Sequence, residues 1–131
     1  MLLNSETPID ESGDEPAIMF KNSQCPVVIG PNRIQAAKHL MENTDSNVIL
    51  SDDGLQHFSL GRDIEILMID GNRKFGNELL LPAGPLREPK SRIKTVDFTI
   101  SSNRKWPSVA KYEMKYRPFK WVHMKSQKEY D

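Results

Sequence analysis

Four short apolar runs, rich in β-branched residues and each stopped by Gly, Asp or Ser, constrain this chain more than any other feature. They are Pro26-Val-Val-Ile29, Asn47-Val-Ile-Leu-Ser51, Asp63-Ile-Glu-Ile-Leu-Met-Ile-Asp70 and Val96-Asp-Phe-Thr-Ile100. Runs of this length with continuous apolar centres read as buried strands. Helical patterns lie between them. Asp14-Glu15-Pro16 is a helix-start signal, with Asp as cap and Pro in the first turn, and predicts a helix over about 15–22. From Asn32 to Asn43, Ile34, Ala37, Leu40 and Met41 recur at helical spacing. Ser91–Lys94 has room for one further turn. Helix alternating with strand predicts an α/β fold with a mostly parallel sheet flanked by helices.

The rest of the chain narrows the class. Its 131 residues suffice for one domain, and 18 basic against 18 acidic residues leave no net charge, which excludes a chain-wide nucleic-acid-binding stripe. The mean hydropathy of −0.57 is polar for a compact domain, so the ends are expected to be weak. Residues 1–13, with Pro8 and Gly13, read as a flexible leader. The single cysteine, Cys25, excludes a disulfide framework and reads as a small core residue in a reducing, cytoplasmic setting. No apolar run reaches the ~20 residues that span a bilayer. Past Ser101, the residues Tyr112, Met114, Tyr116, Phe119, Trp121, Val122 and Met124 predict a hairpin around Arg117-Pro118, followed by a tail without core residues.

Candidate chemistry concentrates in carboxylates. Asp52-Asp53-Gly54 directly follows an apolar run, as in a Walker B element, and ligands of open parallel sheets bind beyond the carboxyl ends of strands. Adjacent acids there suit Mg²⁺, an ion that takes oxygen ligands and one or two carboxylates beside phosphate. The same tripeptide also makes a plain turn. Gln56 and His57 extend the group, and His57 can orient an acid or a phosphate. Asp14 is either a functional acid or a helix cap, and Asp70 either a crevice acid or part of a turn with Gly71. The long connection of residues 71–90 carries Leu79, Leu80, Leu81 and Leu86, which must pack back on the core or meet something apolar. At its end Arg87 suits a phosphate and Glu88 a metal or a helix cap. None of the 7 glycines is followed by Lys, so no Walker A loop is present in these residues, and there is no G-x-S-x-G elbow.

Taken in order, Gly13-Asp-Glu-Pro16, Pro26-Val-Val-Ile-Gly30, Ser51-Asp-Asp-Gly-Leu-Gln-His57, Ile69-Asp-Gly71, Arg73-Lys-Phe-Gly-Asn77 and Leu81-Pro-Ala-Gly-Pro-Leu-Arg-Glu-Pro89 closely resemble the tetraacyldisaccharide 4'-kinase family, the lipid A 4'-kinases of Gram-negative bacteria. The resemblance runs from about Glu11 to Ser102 and fades beyond. It implies a P-loop-kinase-like partial domain over 14–102, with a divergent hairpin and tail over 103–131. It also implies transfer of the γ-phosphoryl of ATP to the 4'-hydroxyl of tetraacyldisaccharide 1-phosphate, with Mg²⁺, at the cytoplasmic face of the inner membrane. The partners so implied are the lipid A disaccharide precursor and the remaining kinase segments.

By the same resemblance Asp14 is the general base, Asp52 and Asp53 hold the metal with Asp53 the closer contact, and Glu88 lies near it. Arg87, Gln56 and His57 then contact substrate or phosphate, and the apolar loop is expected to meet acyl chains or the bilayer interface. Family members are longer, with a membrane segment and ATP loop ahead of this region and a further lobe after it. The chain therefore reads as the middle of such an enzyme, inactive alone. The alternative from another class is a non-catalytic interaction or metal-binding module whose carboxylates are caps and turns.

Overall fold

The computed structural model describes residues 1–118, 120–123, 125–126 and 128–130, in two compact units, Met1–Gly61 and Arg62–Asp131. By content the fold is α/β with a parallel sheet. Among the described residues no helix is long and apolar enough to cross a membrane.

The first unit holds helices α1 (Ile9–Ser12), α2 (Asp14–Ser23) and α3 (Arg33–Asn43). Gly13 joins the first two. Its N–H donates to the Ile9 carbonyl at 2.7 Å, and its φ of 81° and ψ of 160° lie in a region that only glycine adopts readily. Gly13, rather than the expected Asp14, is therefore the N-cap of α2, and Asp14 is its first helical residue. Helix α3 forms within the expected 32–43 span and is capped by Asn32, whose side chain accepts from the Ile34 and Gln35 N–H groups at 3.0 and 3.1 Å. The buried positions of α3 are Ala36 and Leu40, whereas Met41 is 61% exposed because it follows Leu40 onto the next face.

Residues 1–13 contribute Leu3, which is buried, and Leu2 makes an antiparallel bridge to Val28. The Leu3 N–H donates to Val27 at 2.8 Å and the Ile29 N–H to Met1 at 2.9 Å. The expected 26–29 strand is reduced to this one bridge. The expected 47–51 strand does not form, and Val48 and Leu50 are 71% and 88% exposed. An apolar run takes its strand stability from ladder partners and covered faces, and this unit supplies neither among the described residues. Cys25 is exposed rather than core, just past the left-handed Gln24 that ends α2.

The second unit is organised by a sheet of β1 (Ile66–Asp70), β2 (Phe98–Ser102) and β3 (Tyr112–Met114), in that order and all parallel. Ile66 pairs with Phe98 and Ile100 with Tyr112. The link from β1 to β2 includes a 3₁₀ stretch, Lys90–Thr95, where one turn is expected. The link to β3 returns through a turn at Trp106–Ala110, held by β2 side chains of one face: Thr99 Oγ1 donates to the Val109 carbonyl at 2.9 Å, and the fully buried Ser101 Oγ accepts from the Trp106 N–H at 3.3 Å.

Ile69, Phe75 and Ala110 are the buried apolar residues of this unit among those described, and the Phe75 and Trp106 rings lie 5.0 Å apart. β1 is covered on one face only: Ile69 is buried, but Ile66 and Met68 are nearly half exposed, against the expectation of cover on both faces. Tyr112 and Met114 belong to this sheet, not to a hairpin. The hairpin instead pairs β4 (Trp121–Val122) with β5 (Glu129–Tyr130), so its turn lies past Arg117-Pro118 and the tail is part of it. Phe119 and Met124, expected in the hairpin, lie outside the described residues.

Candidate functional site

In the first unit the candidate acids sit on two elements. Asp14 opens α2, and the Gly13 conformation sets the direction in which the helix starts. An acid in the first turn suits the positive end of the helix dipole. Asp52 and Asp53 lie on a turn that leads into a 3₁₀ stretch, Gly54–Gln56, and then His57. Asp53 has φ 49° and ψ 34°, the left-handed region that Asp enters more readily than most residues and that recurs at functional sites. The three acids are exposed, and among the described residues their carboxylates make no hydrogen bond or ion pair. Gln56 is exposed and His57 half-buried, with the His57 N–H donating to the Gly54 carbonyl at 3.0 Å.

In the second unit Asp70 is a turn residue. Its Oδ1 accepts from the Asn72 and Arg73 N–H groups at 2.8 and 3.2 Å, and Oδ2 accepts from Asn103 Nδ2 at 3.1 Å. These backbone donors, Asn72 first, hold its carboxyl below the ordinary range. Both oxygens are thus committed to structure. Arg87 is exposed, whereas Glu88 is mostly covered and accepts from Arg92 Nε at 3.1 Å.

Arg92 also reaches Glu65 Oε1 at 2.5 Å, and Arg62 reaches the same oxygen at 3.1 Å. This Arg62–Glu65–Arg92–Glu88 chain was not foreseen. The four-residue spacing of Glu88 and Arg92 was a usable signal, but Glu65 arrives only through the β1–β2 register. There the Glu65 N–H donates to Asp97 Oδ2 at 2.8 Å, just ahead of Ile66 opposite Phe98.

The hydrogen bond from Arg92 lowers the Glu65 carboxyl below its ordinary range, against the opposing effect of burial. A carboxyl depressed in the folded state adds stability that is present above the unfolded value and is lost as pH falls through the folded one. Thermal unfolding should therefore shift to lower temperature on acidification from about pH 6 to about pH 3, and Glu65→Gln should flatten that shift. An unaltered pH profile in the variant rules Glu65 out as its source.

Asp52, Asp53, Gln56 and His57 are thus contiguous in one unit, with Asp14 on a separate element of that unit, while Arg87 and Glu88 belong to the other. Within neither unit do three or more His, Cys, Asp or Glu side chains gather as a metal cluster among the described residues. The adjacent Asp52 and Asp53 nonetheless offer the donor set that Mg²⁺ uses, since that ion keeps water and phosphate oxygens in its remaining positions.

The family model described as Tetraacyldisaccharide-1-P 4'-kinase matches residues 1–130, which carries the likeness well past Ser102. Three curated relatives bear the name tetraacyldisaccharide 4'-kinase. The protein of Shewanella woodyi is 60% identical over 91 residues, 70% of this chain and 27% of its own length. That of Legionella pneumophila is 48% identical over 117 residues, covering 89% of this chain and 36% of its own. That of Hahella chejuensis is 44% identical over 118 residues, covering 90% and 35%. The chain thus spans roughly a quarter to a third of the length of these relatives. No solved structure matches it. A match along nearly every residue, with the ordered acid motifs inside it, places the chain in the tetraacyldisaccharide-1-P 4'-kinase family.

Proposed function

We propose that this chain supplies the acceptor-side and metal-side groups of a lipid A 4'-kinase, which transfers the γ-phosphoryl of ATP to the 4'-hydroxyl of tetraacyldisaccharide 1-phosphate at the cytoplasmic face of the inner membrane. The family match over residues 1–130 carries this reading. The lack of any competing partner for the Asp14, Asp52 and Asp53 carboxylates among the described residues supports it.

Phosphoryl transfer asks the protein mainly for positioning and charge compensation. Asp14 takes the proton of the attacking hydroxyl, a role that needs an exposed carboxylate on a rigid support, and the first residue of α2 is one. Asp52 and Asp53 would hold Mg²⁺, and Glu88 is proposed as a further acid for the metal. When bound, the ion offsets charge on the transferring phosphoryl. Arg87, Gln56 and His57 orient phosphate or substrate. The cradle for the triphosphate comes from outside these 131 residues, which contain no Gly-Lys step.

A chimera tests this. These residues, placed in the Shewanella woodyi kinase in place of the matching segment, should support ATP-dependent phosphorylation of the disaccharide. A folded chimera without transfer overturns the reading. The 131-residue chain alone should give no transfer, and turnover by it removes the claim that the cradle lies elsewhere.

A further inference from the structure

Arginine presents a rigid, planar fork of donors, so one side chain can tie several acceptors together. Arg92, on the Lys90–Thr95 stretch, uses that fork in three directions. Its Nε donates to Glu88 Oε2 at 3.1 Å, its Nη2 to Glu65 Oε1 at 2.5 Å, and its Nη1 to Thr95 Oγ1. Thr95 Oγ1 in turn donates to the Arg92 carbonyl at 2.9 Å, which ties together the turn that carries the arginine. Glu65 is itself fixed to the sheet. Its N–H donates to Asp97 Oδ2 at 2.8 Å, and its carbonyl accepts from the Asp97 and Phe98 N–H groups, both at 3.1 Å. One guanidinium thus connects the Glu88 carboxylate to the start of the β1–β2 ladder.

Glu88 stands at the far end of the long 71–90 connection, and loop side chains are held less firmly than those on strands or helices. A carboxylate oxygen that serves in chemistry has to be held within about 0.5 Å. Two devices supply that hold. Pro89 narrows the backbone choices of the residue before it, and Arg92 takes the carboxylate itself. The other acid of the loop, Glu78, meets Lys90 with side chains 55% and 45% exposed, and a pair so open to water fixes little. The side chains of Glu88, Arg92 and Glu65 are only 20%, 24% and 14% exposed, so their contacts compete with less water and hold a defined geometry.

We propose that Arg92 is a positioning residue for phosphoryl transfer, which holds the Glu88 carboxylate in its working orientation and takes its own place from Glu65 just ahead of β1. The inference deepens the kinase reading and rests on it for the role of Glu88. Arg92 acts through Glu88 and is assigned no contact of its own with substrate or metal. Lysine in its place would keep the charge but lose the fork that reaches Glu88 and Glu65 together.

Two measurements test it, the first without metal, nucleotide or disaccharide. In the 131-residue chain, carboxylates are labelled with a water-soluble carbodiimide and an amine and read by mass spectrometry. Glu88 should react about fivefold faster or more in Arg92→Met than in the parent, while Glu78 reacts alike in both. Circular dichroism checks that the variant is folded, and Arg92→Lys, which keeps the charge, replaces it if it is not. The second measurement uses the Shewanella woodyi chimera. Arg92→Met and Arg92→Lys should each lower kcat about 10–100-fold with KM for the disaccharide near the parent value. Glu88→Gln should lower it at least as far, and Arg92→Met added to Glu88→Gln should cost less than about twofold more, because no carboxylate is left to hold. Equal labelling of Glu88 in parent and variant, or a full further loss in the double variant, overturns the inference and leaves the kinase reading standing. Parental activity in Glu88→Gln removes the role of Glu88 and the inference with it. A folded chimera without any transfer overturns the kinase reading first, whatever the labelling shows, and this inference falls with that reading.

Discussion

Asp14→Ala, introduced into a kinase that carries this segment, is expected to lower kcat by about 10²–10⁴-fold while KM for the disaccharide stays close to the parent value. The split follows from the proposed role. A general base accepts its proton as the new bond forms, so its removal raises the transition state and leaves ground-state binding nearly untouched. Asp14→Asn should lose as much, because the amide keeps the volume and polarity of the side chain but takes up no proton at neutral pH.

The structure makes this substitution a clean one. Gly13 caps α2, and no hydrogen bond or ion pair of the Asp14 carboxylate occurs among the described residues. The variants therefore lose one charge at a helix start and no packing. A raised KM with unchanged kcat would reassign Asp14 to binding. An unchanged kcat/KM would remove it from the reaction and leave the helix-start role alone.

What the residues announced, and what they did not, divides by the range of the interaction. Local devices were legible. Helix α3 forms within the span of its helical pattern, Lys90–Thr95 turns where one turn was expected, and β1 and β2 form within their apolar runs. Long-range pairing was not. Residues 47–51 have the composition of a buried strand, yet a strand is made by its neighbours, and this run is left exposed. Tyr112–Met114 was read with the aromatic residues that follow it, although its partner is β2, reached through hydroxyl contacts from Thr99 and Ser101 that leave no periodic trace.

The candidate site follows the same division. Adjacent acids and their turn could be read directly, and the chain's membership of a kinase family rested on several such short motifs in order. The charge chain that orients Glu88 could not be read to its end, because Glu65 and Arg92 are 27 residues apart and meet only through parallel strand pairing.

The largest structural effect is expected at Gly71, where β1 ends. Its N–H donates to the Ser102 carbonyl at 2.9 Å, which brings the two strand ends so close that a Cβ there would lie 1.7 Å from the Arg104 carbonyl oxygen and 3.0 Å from that of Ser102. Those atoms are backbone and cannot rotate aside. The Arg104 N–H itself donates to Ser102, so relief would have to open the turn that follows β2. Gly71→Ala should destabilise the second unit by about 3 kcal/mol.

Gly61→Ala is the matched control. A Cβ there meets nothing within 4 Å, and its effect should stay within about 0.5 kcal/mol. Urea unfolding of the two variants, followed by the fluorescence of Trp106 beside Phe75, separates them. Since Asp70 donates no proton here but anchors the same turn through Asn72, Arg73 and Asn103, Asp70→Ala should shift the midpoint in the same direction as Gly71→Ala. Equal midpoints for Gly71→Ala and Gly61→Ala would mean that the β1 end and the turn after β2 do not approach as closely as the strand register requires.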